Sequence, residues 1–297
     1  MPSYLMNAPL SYSADSPNNV WMEELSESER VIDNHKAMKQ FLQLYQFIGA
    51  HAFVQNLPTP GNCQLQDLPF ISNLGIVLDH LPDKRTVIIS NFATEPRRGE
   101  TEVGIGFFNS MGYDVHTSPY HFEGEAELKH LHDNVYVGGY GIRSDIRAYE
   151  WMEKQFDIRI IKVRNSNDRL YHLDGSVFPM TRNHTLVCTA MFTKPEIQAI
   201  ERETEIIDVT AKDALAGITN SVRVHRFIIN ASNLCELKSG TDAYYNERMK
   251  NQNLEKIAVE MGFDVCFFNI DEFYKGGAML SCMVLHLNRR SYEIDLL

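Results

Sequence analysis

Near its C-terminal end the chain runs Lys275-Gly276-Gly277-Ala278-Met279-Leu280-Ser281-Cys282. A glycine pair lets the backbone pass close to a ligand or turn sharply, and a cysteine a few residues on can face what lies there. Alone, such a cysteine is most often a small buried hydrophobe. Two other segments widen the chemistry: His172-Leu173-Asp174, and Phe122-Glu123-Gly124 at the head of an acidic run that continues with Glu125 and Glu127. A cysteine, a histidine and carboxylates, scattered in sequence and gathered by folding, are the parts of a nucleophilic site. His172 and Asp174 are two apart, so an extended strand would put both on one face. There the carboxylate suits the N–H donors of a planar cation such as a guanidinium, and the imidazole handles protons. The competing reading is structural: Asp174-Gly175-Ser176 closes a hairpin, and the acidic run is a solvated loop. The functional reading needs one acid to point inward, and Glu123, between Phe122 and Gly124, is the candidate.

Such residues must be held by regular elements, and the apolar spacing supplies them. Met38, Phe41, Leu42, Tyr45 and Ile48 recur at helical intervals after Asn34, a cap. Ile146, Tyr149, Met152 and Phe156 do so after Ser144-Asp145, and Pro195 opens a helix over 195–205. Leu254, Ile257, Ala258 and Met261 form a stripe that stops at Gly262. Between them lie β-rich runs at 86–89, 135–137, 158–161, 185–187, 226–229 and 265–268. Strands and helices alternate and no low-complexity linker divides them, so one α/β domain over 1–297 is expected. A looser rhythm pairs polar or glycine-bearing segments with apolar strands at 70–78, 137–143, 172–174, 218–221 and 276–285. Five comparable units suggest a quasi-repeat with functional residues at one hub.

Composition narrows the partners. Lys+Arg 28 against Asp+Glu 39 gives a net charge of −11 with no basic cluster, which argues against nucleic acid. No apolar run reaches the roughly 18 residues of a membrane span, and the first twenty residues resemble neither a signal nor a transit peptide. Five cysteines, at 63, 188, 235, 266 and 282, show no zinc spacing, and a reducing cytoplasm is the expected location. His51, His80, His130 and His132 have no ligand spacing tied to a second cluster, so no metal or cofactor is expected. A homodimer, the commonest soluble assembly, is compatible with the sequence.

Taken in chain order, the motifs resemble those of the guanidino-group-modifying superfamily: arginine deiminases, dimethylarginine hydrolases, amidinotransferases and, most closely, arginine dihydrolases. Asn19-Val20-Trp21-Met22 resembles the dihydrolase-like branch's Asn-Pro-Trp-Met, and Asp67-Leu68-Pro69-Phe70-Ile71-Ser72-Asn73 its Asp-x-x-Phe-Thr-Ala-Asn. Phe122 to Glu127 resembles Phe-Glu-Gly-x-Gly-Asp, His172-Leu173-Asp174 is His-x-Asp unchanged, and Phe273 to Cys282 resembles Phe-x-Lys-x-Gly-Gly-Ala-x-x-Cys. The resemblance implies an α+β pentein fold, an α/β propeller of five ββαβ-type units about a pseudo-fivefold axis. It implies Cys282 as nucleophile, His172 as general acid/base, Glu123 as its carboxylate partner and Asp174 as a guanidinium ligand. Asn19, Asn73 and Asp67 fall in the matched substrate-binding motifs. Arg143 and Arg97 fall where the branch carries arginines, and either could hold a substrate carboxylate or serve as a structural ion-pair residue; Arg98 reads as a surface residue.

The implied activity is hydrolysis of the guanidino group of L-arginine or a close analogue through a thiouronium on Cys282. Asn73 stands where deiminases have aspartate, and an amide can both donate to and accept from a neutral ureido group. That favours a second round giving ornithine, ammonia and carbon dioxide. The alternatives are a single-step deiminase or dimethylarginine hydrolase, an amidinotransferase, and a non-catalytic pentein binding protein. The sequence departs from the pattern at Val20, Glu125, Glu127, Asn7-Ala8-Pro9 and Ser221-Val222-Arg223, while the catalytic set is intact.

Overall fold

The computed structural model describes residues 1–61 and 63–293. Its strands, in chain order, are β1 (Ser3–Met6), β2 (Phe53–Asn56), β3 (Gly75–Val77), β4 (Thr86–Ile89), β5 (Asp114–Thr117), β6 (Leu128–His132), β7 (Val135–Tyr140), β8 (Arg159–Arg164), β9 (Val177–Pro179), β10 (His184–Val187), β11 (Glu205–Asp208), β12 (Val222–Val224), β13 (Phe227–Ala231), β14 (Asp264–Phe268) and β15 (Leu285–His286). They form five three-stranded sheets of one design. In each, a middle strand pairs antiparallel with one neighbour and parallel with the other: β4 with β3 and β5, β7 with β6 and β8, β10 with β9 and β11, β13 with β12 and β14. The fifth sheet closes the ring across the chain's two ends. There β1 pairs antiparallel with β15 (Tyr4 opposite His286, Leu5 opposite Leu285) and parallel with β2.

A parallel pair needs a long crossover, and a helix supplies it in every unit. The crossovers are Asn34–His51, Glu100–Ser110, Ile146–Gln155, Lys194–Glu201 and Asp242–Glu260. Burial shows which way each sheet faces. The antiparallel strands β3, β9, β12 and β15 are buried at every position, whereas the parallel strands β2, β5 and β11 are exposed at both ends. The antiparallel strands therefore line an interior hub and the parallel strands form the rim. This is the five-unit pentein fold, α+β in class. Apolar packing is divided among clusters between neighbouring units, such as Leu5, Leu74, Val87, Ile89, Phe108 and Leu285. Each such side chain contributes about 1.5–3 kcal/mol on burial, and the division leaves the hub to short polar turns.

Three sequence expectations are corrected. The first helix is capped by Asp33, whose side chain accepts from Lys36 N–H, and Leu42 faces solvent while Leu44 is buried. The helix expected over 195–205 is capped by Thr193 and ends at Glu201, because Glu205 already begins β11 beside His184. The segment 137–143 lies largely in a middle strand, β7, so it is no counterpart of the other four hub segments; in its unit that place belongs to Glu123–Glu127.

Candidate active site

Each unit enters its hub strand through a tight turn, and these five equivalent turns carry the polar residues. Asn73 lies in the turn Ile71–Leu74 ahead of β3, and Glu123 caps Gly124–Glu127 ahead of β6. His172 caps Leu173–Gly175 ahead of β9, Asn220 precedes β12, and Cys282 lies in Ser281–Met283 ahead of β15. The close approach of these turns dictates glycine at one point. Gly124 has φ +62°, and a Cβ there would lie 2.6 Å from the Ser72 carbonyl oxygen. Only glycine tolerates both constraints.

The sequence candidates come together here. His172 Nε2 lies 2.7 Å from Glu123 Oε2, and Glu123 Oε1 accepts from Ala93 N–H at 3.3 Å and faces Arg143 Nη1 at 3.6 Å. Burial pushes the Glu123 carboxyl up, but the His172 hydrogen bond and the nearby arginines outweigh it and bring it to about 2. Glu123 is thus an ionised carboxylate in the interior. His172 itself is held below its ordinary value, chiefly by burial. The Asn73 amide nitrogen sits 3.2 and 3.3 Å from the two imidazole nitrogens, against the ring of His172. Cys282 Sγ lies 3.7 Å from Asp174 Oδ2, which also accepts from Ser281 Oγ at 2.7 Å. Burial, then Asp174, pushes the Cys282 thiol up to about 12.

Two features differ from the sequence reading. His172 and Asp174 lie on a 3-10 turn, with the intervening Leu173 fully buried, so the turn rather than strand alternation aims the imidazole at Glu123 and the carboxylate at Cys282. All three acids of the acidic run are buried, not one. Glu125 pairs with Arg289 at 2.7 Å, and Glu127 Oε2 accepts from Leu173 N–H at 3.3 Å. Burial, with Glu123 and Asp174 nearby, raises the Glu127 carboxyl well above its ordinary value, and its bond to Leu173 N–H supports the His172–Asp174 turn.

A small cavity beside Cys282 is lined by Asn19, Asp67, Asn73, Arg97, Arg143 and His172. Arg97 is committed to Glu100 through a bidentate pair at 2.9 and 2.7 Å, whereas Arg143 stacks on Tyr171 and donates to the Asn18 carbonyl at 2.5 Å. Arg98 is exposed. Asp67 is buried, and burial raises its carboxyl against the opposing pull of Arg97. Asn19 is an N-cap: its oxygen accepts from Met22 N–H, and its amide donates to Gly276 O at 3.0 Å. That bond ties the N-terminal segment to the glycine pair. Gly277 has φ +75°, and a Cβ on it would fall 2.3 Å from Asn19 Oδ1. Gly277→Ala is therefore expected to cost about 1–3 kcal/mol of stability through backbone strain alone, and more through the displaced cap. Urea midpoints of parent and variant check this.

Asn18, Tyr171 and Asn220 are site residues that sequence reasoning missed. Asn18 Nδ2 is 2.5 Å from Asp67 Oδ2, and the Tyr171 hydroxyl donates to Gly277 O at 2.7 Å. Asn220 accepts from Ser281 N–H at 2.7 Å and points its amide at Cys282 Sγ, 3.8 Å away. The signal for Asn220 was present in the repeat, where Thr219-Asn220-Ser221 holds the place of Ser72-Asn73-Leu74. Among the described residues, no cluster of three or more His, Cys, Asp or Glu could hold a metal, and no helix is long and apolar enough to cross a membrane.

No model of a known protein family matches the chain. The bifunctional arginine dihydrolase/ornithine cyclodeaminase AgrE of Nostoc sp. is 28% identical over 291 residues, covering 96% of this chain, and ArgZ of Synechocystis sp., of the same description, is 27% identical over 292. The chain spans only 37% of the length of these relatives. The N-terminal domain of ArgZ superposes with a TM-score of 0.82 at 26% identity, covering 97% of this chain and 98% of that domain. That domain has been solved as an asparagine-to-serine variant covalently bound to a reaction intermediate and as a cysteine-to-serine variant bound to substrate. The N(G),N(G)-dimethylarginine dimethylaminohydrolase of Mycobacterium tuberculosis is 21% identical over 287 residues, covering 96% of this chain and 85% of its own. Fold, motif order and relatives agree: the chain is similar to enzymes of the guanidino-group-modifying superfamily.

Proposed function

We propose that this protein is a cysteine-dependent arginine dihydrolase, converting L-arginine and two waters to ornithine, carbon dioxide and two ammonia. The observation that carries the reading is the meeting of Cys282, the His172–Glu123 pair and Asp174 at one hub, each delivered by an equivalent turn. The relatives described as arginine dihydrolases, and the covalent intermediate held by one of them, support it. The same reading takes 1–297 as one guanidino-modifying domain, its last four residues lying outside the described ones.

The guanidinium binds at the carboxylate of Asp174, with its carbon facing Cys282 Sγ. Arg143 holds the substrate carboxylate in preference to Arg97, whose fork is filled by Glu100. The free space beside Cys282 is divided between the cavity lined by Asn19 and Arg143, about 10 Å³, and a second of about 40 Å³ lined by Trp21, Tyr171, Asp174 and Asn220. Once the cation is in place, it opposes the burial and the Asp174 charge that keep the thiol protonated. Sγ attacks the guanidinium carbon, and His172 protonates the departing ammonia, leaving a thiouronium. Water, deprotonated by His172, adds to that carbon; collapse frees Sγ and gives the ureido compound. Asn73, against the His172 ring, can donate to or accept from this neutral group and hold it for a second attack. That round releases ornithine, carbon dioxide and the second ammonia.

The test is incubation with L-arginine while amino acids and ammonia are quantified. Ornithine with two ammonia per arginine is expected. Accumulating citrulline would rule out the second round, and unchanged arginine would rule out the activity altogether.

The thiol gives a separate check. Because burial, and then Asp174, pushes Cys282 up to about 12, its alkylation by neutral iodoacetamide is expected to be slow at pH 7. The rate should rise about tenfold per pH unit to at least pH 10, tracking the thiolate fraction. A cationic haloacetamidine, which brings the guanidinium-like charge with it, is expected to react at least about a hundredfold faster at pH 7. Equal rates for the two reagents would contradict substrate-assisted ionisation.

A further inference from the structure

Behind the layer of Asn73, Asn220 and Cys282 the hub encloses a second, separate cavity. It is lined by the next residues inward, Ser72, Ser221 and Ser281, and by Glu125, Lys129 and Arg289. Nothing in the chemistry at Cys282 uses it. Its wall holds donors left without partners. Arg289 is 9% exposed and its Nη2 has no hydrogen bond; Ser72 is 1% exposed and its Oγ has none. The Lys129 ammonium makes no hydrogen bond or ion pair with any described residue, although its charge is felt at Glu125, Cys282 and His286. The one acid in the wall, Glu125, is already taken: it meets Arg289 Nη1 at 2.7 Å, approaches His286 Nδ1 at 2.5 Å and accepts from His286 N–H at 2.9 Å. Within the wall the buried Arg289 and the part-exposed Lys129 therefore face one carboxylate, with Asp79 acting on Arg289 from outside it, and a buried charge is costly unless something pairs with it.

Size selects the occupant. The free volume is about 20 Å³, enough for one water-sized body and too little for phosphate, sulfate or an amino-acid carboxylate. A water would satisfy donors but leave the charge imbalance. From this geometry we propose that the cavity binds one monatomic anion of chloride size, held by Lys129, Arg289 Nη2 and Ser72 Oγ. The anion would neutralise the hub at the level directly behind the nucleophile.

Bromide, a chloride surrogate with an anomalous signal, tests this in crystals of the whole chain. The expected result is an anomalous peak in the cavity within hydrogen-bonding reach of Arg289 Nη2 and the Lys129 ammonium. A cavity holding only water overturns the proposal, whatever else is measured. In solution, thermal unfolding in sodium chloride against sodium gluconate at matched ionic strength should show a higher midpoint in chloride, on the order of 3 °C, because gluconate cannot fit. Lys129→Met should abolish that difference, with Lys129→Gln as the second variant if the first does not fold. A chloride shift that persists in a folded Lys129 variant would remove Lys129 from the site, and equal midpoints in both salts for the parent would refute binding.

Discussion

Cys282→Ser is expected to lower arginine turnover by at least about 10⁵-fold while leaving arginine binding within a few-fold of the parent. Loss of the nucleophile in a covalent mechanism removes the step on which all others depend, and such losses reach about 10⁶ in comparable nucleophile–histidine systems. Serine is nearly the same size, so the turn Ser281–Met283 and the Asp174 contact survive. What changes is reactivity. The cation and the site can bring a thiol into its ionised form, whereas a hydroxyl starts many pH units higher and the imidazole beside it is itself held low. Measuring kcat by ammonia release and binding by calorimetry separates the two effects. Turnover within tenfold of the parent would mean that Sγ does not attack the guanidinium carbon; lost binding would mean that the thiol is part of the substrate's cradle. The cysteine-to-serine variant of the ArgZ N-terminal domain, solved with substrate bound, shows that a related site retains its ligand after this replacement.

The trio that meets at the hub was legible because its residue types are chemically loud: Cys282, His172 and Glu123 each stand in a short motif whose order along the chain resembles that of a known family. The supporting layer was quieter. Asn18 and Tyr171 act through hydrogen bonds to Asp67 and to Gly277 O and through their contacts with Arg143, none of which any spacing announces. Glu125 and Glu127 looked like solvated charge because a sequence gives no sign of the buried arginine at 289 or of the Leu173 N–H that receive them. The helices followed their apolar periodicity closely, whereas hub strands of two or three residues, such as β12 and β15, are too short to show any period. The quasi-repeat was visible, and one unit was misplaced because the glycine-bearing strand Val135–Tyr140 looks more like a hub segment than the acidic turn that fills that role.

Glu123→Gln carries the second large effect, because it removes charge while keeping shape. The amide still accepts from Ala93 N–H and still reaches His172, so the hub geometry is preserved. His172, already held low by burial, loses the carboxylate that most raises its proton affinity. A weaker base then takes the proton from water, and a less stable imidazolium forms when ammonia leaves. The closest precedent, neutralising the carboxylate behind a catalytic histidine, costs about 10⁴ in kcat, and a loss of about 10³–10⁴ with KM changed only a few-fold is expected here. A purely structural role for Glu123 would instead lower kcat in step with stability, so the pH dependence of unfolding supplies the control. The Glu123 carboxyl is depressed to about 2 in the folded protein, against about 4.3 when unfolded. Its stabilising contribution is therefore complete above the unfolded value and fades as pH falls toward the folded one. The parent should lose its stability advantage over the variant between about pH 5 and 2, while the kcat deficit at neutral pH remains in fully folded enzyme. A variant equal to the parent in kcat would show that His172 does its proton transfers without a charged partner.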